Sequence, residues 1–385
     1  MSKGFALFLG LVMLLPLGLF GQGIGNNGSK SLLNVQSAST LNPRRLDFRT
    51  DMGFFTKVGD FLGQSKPADF RVVNFWNVQS NAMLTYGIAE HFDATFTTRI
   101  YQDVHKANEY NTPGDLFLDV KAGSFSVLNN RINLGGQASF RFPTGDDVNY
   151  PFENYTAGSL EFGLKALFSY YNDPFLTHRD ISFHFNLGWY NYNDAGKVIL
   201  TRTALDGTVT EFTAGNNASS LQYGLGFIYP TDLFDLNLEV WGNTFINQPD
   251  SLALSREDFV YVTPSIRFKP RWWVNFDLGM DIRASSDKDE TASQVTFLNN
   301  LDLPNYPSWR LKLGASFVLN AGADRIRGGI SEKADLKNKV DFYERLLKEK
   351  EKTRSIEEEL RRLRREREQA EKELEELRQL LEEEG

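Results

Sequence analysis

The chain has no cysteine among its 385 residues. That removes disulfides, thiol nucleophiles and thiolate metal sites together. Histidine is scarce, with only His91, His105, His178 and His184. No two of them have the His-x-x-His or His-x-x-x-His spacing, so neither a metal nor a cofactor is expected. No glycine-rich phosphate loop follows a strand and opens a helix, and no Gly-x-Ser-x-Gly elbow occurs. Positive charge is not in excess either. The formal net charge is -8, so no basic field invites nucleic acid as a partner. Only one long apolar run exists, Phe5 to Phe20. It follows Lys3 and precedes small residues at Gly21 and Gly23, and it is shorter than the roughly 20 residues of a spanning helix. Residues 1–21 therefore read as a signal peptide cleaved near Gly21. No cysteine follows to carry a lipid anchor.

What the chain does have is aromatic residues, 13% of the total with Phe 31, Tyr 14 and Trp 6, and long stretches of period-two alternation. Residues 22–45 are rich in Gly, Asn and Ser and read as a flexible N-terminal segment. Whether they enter whatever follows is left open. From Leu46 the pattern changes. Val274, Phe276, Leu278, Met280 and Ile282 alternate with Asn275, Asp277, Gly279, Asp281 and Arg283. Ile181, Phe183, Phe185, Leu187 and Trp189 alternate with Ser182, His184, Asn186 and Gly188. A period of two is the mark of a strand with two different faces. About twelve such segments are predicted, near 46–55, 70–86, 93–104, 114–127, 131–142, 158–171, 180–192, 219–230, 235–246, 258–269, 272–283 and 308–320. Most are 10–14 residues, against about 5–6 for a soluble strand and roughly 9–11 for a tilted membrane strand.

The connections alternate short and long. Short turns fall at 89–92, 128–130, 172–179, 231–234 and 270–271, and long polar loops at about 56–69, 105–113, 143–157, 193–218, 247–257 and 284–307. Bacterial membrane barrels put short turns on the periplasmic side and long loops outside. The longest loop carries Asp206-Gly207 between Val198-Ile199-Leu200 and Val209-Thr210, a hairpin signal. Tyr170, Tyr171, Trp189, Tyr190, Tyr192, Tyr229, Trp272, Trp273 and Trp309 sit at strand ends, as expected of an interfacial girdle. The expected fold is all-β: an antiparallel transmembrane β-barrel of about twelve strands over 46–320, in the outer membrane and in contact with its lipid. Its edges must close, because lipid offers the backbone no hydrogen bonds.

Arg49, Arg99, Asp119, Lys121, Arg141, Glu161, Lys165, Glu239, Asp277, Asp281, Arg283, Arg310 and Lys312 are predicted to face the lumen. They either line a passage for solutes or pair with one another and fill the interior. Asp146 and Asp147 read as a solvated turn rather than a cation site. His184 is followed by Phe185 and Asn186, which does not match the His-x-Ser-Asn-Gly signature of membrane phospholipases, so an enzyme is not expected.

After a Gly-containing linker at 321–331 the chain becomes a charged segment, 332–385, without Pro or internal Gly until its end. It reads as one long α-helix. Ile356, Leu363, Ala370 and Leu377, with Leu360, Leu374 and Leu381, form two rows at heptad spacing. They are the expected core of a coiled coil that self-associates or takes a periplasmic partner.

The segments Leu84-Thr85-Tyr86-Gly87-Ile88-Ala89-Glu90-His91-Phe92-Asp93, Pro113-Gly114-Asp115-Leu116-Phe117-Leu118-Asp119-Val120-Lys121 and Phe140-Arg141-Phe142-Pro143-Thr144-Gly145-Asp146 resemble outer-membrane transporter barrels named after phenol degradation. The likeness is carried by residues 80–170. It implies transport of a small solute, hydrophobic compounds included. The C-terminal helix departs from that pattern. It implies the alternative of a structural envelope protein, with the barrel as anchor and the helix as periplasmic tether.

Overall fold

A computed structural model describes residues 24–25, 28–59, 73–104, 114–145, 148–149, 152–173, 180–203, 207–288, 290–291, 306–322, 340, 344, 348 and 358–369. Twelve antiparallel strands form one closed barrel. They are β1 (Leu46–Gly59), β2 (Val73–Ala89), β3 (Phe92–Val104), β4 (Leu116–Val127), β5 (Ile132–Phe142), β6 (Glu161–Tyr171), β7 (Ser182–Asn191), β8 (Ser219–Pro230), β9 (Phe234–Asn247), β10 (Phe259–Arg271), β11 (Val274–Arg283) and β12 (Trp309–Asn320). Each pairs with its sequence neighbours, and β12 closes on β1, with Asn320 opposite Leu46 and Leu311 opposite Phe54. Both barrel termini thus lie at the same end, the end of the short turns. Two small hairpins accompany the barrel. One pairs Val198–Thr203 with Val209–Thr213, where the Asp-Gly signal placed it. The other pairs Ile24–Gly25 with Gly28–Lys30.

The alternation in sequence becomes inside and outside. Along β9, Phe234, Leu236, Leu238 and Val240 are exposed, while Asp235, Asn237 and Glu239 are buried. Along β11, Phe276, Leu278, Met280 and Ile282 are exposed and Asp277 and Asp281 buried. An apolar outer surface around a charged interior inverts a water-soluble barrel. It is the arrangement of one that spans a bilayer.

Residues 28–41 do not trail outside. They fold into the barrel, with Leu32, Leu33, Val35, Ala38 and Leu41 all buried. Where the composition of 22–45 predicted a flexible segment, the structure therefore shows 28–45 ordered by contact with the wall. The reason is that this segment finds hydrogen-bond partners on strands far along the chain. Inner-face glycines make room for it. A Cβ on Gly123 would land on the Ala38 carbonyl oxygen, and one on Gly279 would meet the Leu33 side chain. Gly279→Val is expected to destabilise the docked segment by about 1–3 kcal/mol through overpacking. The check is protease accessibility of residues 30–45 in a barrel that keeps its heat-modifiable gel mobility.

Of the strand-end aromatics, Trp189, Tyr229 and Trp272 face outward. Tyr171, Tyr190 and Tyr192 do not. Each sits on the inner face, where its hydroxyl finds a partner: Tyr171 with Ser37, Tyr190 with Glu161 and Tyr192 with Ser220. The pleat decides this, because adjacent residues such as Trp189 and Tyr190 cannot share a face.

Residues 330–385 form a separate unit. Its described part is the helical residues Val340, Glu344 and Lys348 and a helix over 358–369, with an Arg362–Glu366 pair at 2.9 Å. Leu360 and Leu363 lie on it and are exposed. Ile356, Ala370, Leu374, Leu377 and Leu381 lie outside the described residues, as do the signal peptide, Asp146 and Asp147.

Candidate functional site

The lumen holds three layers. At the short-turn end is the plug, residues 28–41. Its tip turns at Leu33, Asn34 and Val35, whose backbone N–H groups all donate to the Glu239 carboxylate at 3.0, 2.7 and 2.7 Å. Successive N–H groups converging on one carboxylate make an anion-binding concavity, here filled from the wall. Further along, Gln36 exchanges two hydrogen bonds with Asn186, at 2.7 and 2.8 Å. The Ala38 N–H donates to Ser169 Oγ at 2.8 Å, and the Leu41 N–H to Asp93 at 2.8 Å. Lys121 and Arg267 donate to the Ser37 and Ser31 carbonyls. The wall thus supplies acceptors to the plug's amides and cations to its carbonyls. Ser169 also contacts His184 Nδ1 at 2.7 Å, but with the Ala38 N–H on its oxygen the pair belongs to the plug's seat.

Ion pairs brace the same end. Arg49 and Arg267 share Asp277, and Lys269 pairs with Asp235 at 2.5 Å. Such pairs balance a desolvation cost rather than adding much stability.

Above the plug tip lies a chamber of about 320 Å³ with Asn34 and Val35 at its floor. Arg99, Asp119, Arg141, Glu161, Lys165, Arg310 and Lys312 line it. Of the predicted lumen residues, these seven meet at the chamber. Lys121, Glu239 and Asp281 serve the plug or its neighbours, and Arg49 and Asp277 the ion pairs beneath. Arg283 donates to the Tyr306 carbonyl at 3.0 Å nearer the loops.

The third layer is a roof from the long loops. Residues 152–157 reach back into the mouth, where Phe152 packs on Phe55 with ring centroids 5.3 Å apart. Asn77 holds Glu153 at 2.6 Å. Behind the roof, Tyr155, Ala157, Tyr192, Ile199, Ala214, Ala218 and Ala253 form an apolar cluster. Asp194 organises it, accepting from the Tyr155 hydroxyl and the Ala218 N–H, both at 2.6 Å. Burial and this carboxylate hold the Tyr155 phenol protonated far above the usual range. Asp194→Ala orphans two buried donors and is expected to destabilise this layer by roughly 2–5 kcal/mol. Hydrogen exchange over 192–218 should rise while exchange in the barrel strands stays unchanged.

The plug and roof residues escaped the sequence reading, because neither segment repeats with a strand or helix period. Fold and site together define a plugged, membrane-spanning β-barrel with an internal polar chamber. The sequence matches no family model and no curated protein. Among solved structures the chain is similar to an outer-membrane channel from Pseudomonas putida F1, at 10% identity and TM-score 0.44 over 75% of this chain and 100% of that one. It is also similar to a mutant of the TodX monoaromatic hydrocarbon channel, at 9% and 0.42 over 77% and 96%, and to the NanC porin, at 10% and 0.40 over 71% and 98%. The barrel assignment itself rests on the strand pairing described above.

Proposed function

We propose that the chain is an outer-membrane channel or transporter for small solutes, with residues 28–41 as the element that opens and closes the passage. The observation that carries this is the chamber. A polar cavity lies in the lumen directly above a segment held there only by non-covalent bonds. A barrel needed only as an anchor has no use for an internal space bounded by a removable floor. The alternation of short and long connections supports a topology with the plug and both barrel termini on the periplasmic side and the roof outside. On this reading the segment after residue 330 is periplasmic.

Purified protein in planar bilayers is expected to show brief, stepwise openings that become more frequent when urea at sub-denaturing concentration loosens the plug. A current that stays at zero under every voltage, salt and urea condition would sink the channel reading. It would favour the second reading, in which the barrel anchors a periplasmic arm. The braced ion pairs of Arg49, Asp277 and Arg267 and the exposed Leu360 and Leu363 support that alternative. Deleting residues 332–385 tests it: oligomer size and envelope integrity should fall if the arm is a tether, and neither should move if it is not.

A further inference from the structure

We infer that the chamber is a binding site for a small organic anion that carries N–H or O–H donors on its opposite end, such as a zwitterionic amino acid or a sugar acid. The inference takes the channel reading as its frame and names the class of solute.

Most polar groups on the chamber wall are already matched. Arg141 pairs with Asp115 at 2.5 Å and Glu161 at 3.5 Å. Lys312 pairs with Asp281 at 3.1 Å and donates to Asn34 at 2.5 Å. Arg99 stands 3.8 Å from Glu153, and one oxygen of Asp119 accepts from Gln137 at 2.8 Å and from Ser139 at 2.5 Å.

Three groups lining the chamber stand apart. The Lys165 ammonium makes no hydrogen bond or close ion pair with any described residue, and feels the Asp119 carboxylate only at longer range. Asp51 uses one carboxylate oxygen to accept from Asn81 at 2.9 Å. Its other oxygen, Oδ2, is buried without a partner, and so is Oδ1 of Asn243. Both residues are more than nine-tenths buried, at 8% and 5% exposure. Buried polar atoms are almost always satisfied, so unsatisfied ones on side chains that line a cavity mark where a bound group can complete them after a small side-chain rotation.

The chemistry of the three sets the ligand. An ammonium whose neighbouring carboxylate, Asp119, is not in direct contact with it asks for an anion. A carboxylate oxygen and an amide oxygen, both acceptors, ask for donors. The strands carrying them are spread around the barrel: β6 for Lys165, β1 for Asp51 and β9 for Asn243. By circular strand order these are separate walls, so one ligand would meet the cation on one side and the acceptors on others. The volume of about 320 Å³ falls at the low end of small-molecule sites, roughly 300–1,000 Å³. A hydrocarbon would leave all three groups unsatisfied and would bury the remaining charges against apolar surface, which is a strong penalty.

The test is calorimetric titration of the full-length protein in detergent with five probes: glutamine, glucuronate, glucose, acetate and toluene. Glutamine, glucuronate or both should bind at least roughly tenfold more tightly than glucose, which lacks the anion, and acetate, which lacks the donors. Lys165→Gln should weaken the bound probe about tenfold or more. Asp51→Asn should weaken glutamine, whose ammonium it meets, more than glucuronate. Each variant is checked for heat-modifiable mobility, so that a misfolded barrel is not scored, and Asn243→Ala provides a second probe of the acceptor side. The inference is overturned if toluene binds as well as the two amphoteric or hydroxylated anions, if Lys165→Gln leaves affinity unchanged, or if no probe binds at millimolar concentration, which would mean that water alone fills the chamber. Bilayer current recorded on the same preparation separates this from the channel reading. Binding without current keeps the ligand site and removes the passage; current without binding does the reverse.

Discussion

Deletion of residues 28–41 should raise single-channel conductance by roughly tenfold or more while leaving the barrel intact. A twelve-strand barrel is wide enough to need filling, lying between side-chain-filled eight-strand barrels and open porins. Here the filling at the short-turn end is this one segment, seated from Asp93 on β3 across to Glu239 on β9. None of the strand-to-strand ladders runs through it, since the twelve strands pair only with each other. The barrel should therefore keep its heat-modifiable mobility. The wall groups exposed by the deletion are polar and can be hydrated. If the truncated barrel folds but conducts no better than the full chain, the loop-derived roof or the remaining ion pairs close the passage, and the plug is only packing. The absence of cysteine offers a complementary measurement. Thr40 and Ser124 place their hydroxyl oxygens 2.8 Å apart, so cysteines at both positions would be the chain's only thiols. A disulfide there, if the Cβ geometry permits it, should hold current at zero until reductant is added.

Replacing Glu239 with Ala should release the plug without removing it. The carboxylate is fully buried and is the common acceptor of three successive plug N–H groups. Each buried donor left unsatisfied costs about 1–3 kcal/mol, so truncation shifts the docking equilibrium by several kcal/mol. At about 1.4 kcal/mol per tenfold, that is a change of at least 10²-fold in the undocked population. Glu239→Gln keeps one carbonyl acceptor but turns an amide donor toward the same N–H groups, and its effect should be intermediate. Released plug should become a trypsin substrate at Lys30, Arg44 and Arg45, which lie within or just behind it. Terminal sequencing of the fragment, together with an increased open time in bilayers, would establish release. Trypsin resistance and current both equal to the unmodified chain would show that Glu239 is not the latch.

The barrel was legible because each strand encodes its own two faces. In β11 the run from Phe276 to Ile282 states which side chains face outward and which face the lumen, and the structure places them so, while Val274 at the strand's start is buried. Glu239, Asp277 and Asp281 are each buried between exposed apolar neighbours, as period two requires once the outer face is fixed. The plug was not legible. Leu32, Leu33, Val35 and Leu41 have no shared period, and they lie among Gly, Asn and Ser. What orders them is a set of partners from Asp93 to Lys312, and such pairings leave no local trace. Inner-face glycines such as Gly123 and Gly279 carried a weak sign of it, since a strand interior seldom gives up its side chain unless another backbone comes close. The inward tyrosines were misplaced for a simpler reason. Position at a strand end does not fix which face a residue occupies; the pleat does.

The seam between β12 and β1 bears on how the molecule assembles. The plug lies immediately before β1, yet Asn34 reaches Lys312 on β12, 278 positions later in the chain. The first and last strands meet at that seam. Insertion and closure are thus coupled in time: the plug must already be inside, or must thread in from the open end, when the final strand zips against the first. Contacts of such long sequence separation form late and slowly. A barrel caught before closure would present a loose N-terminal segment together with an unpaired β1 edge, and the two should become protected in a single step.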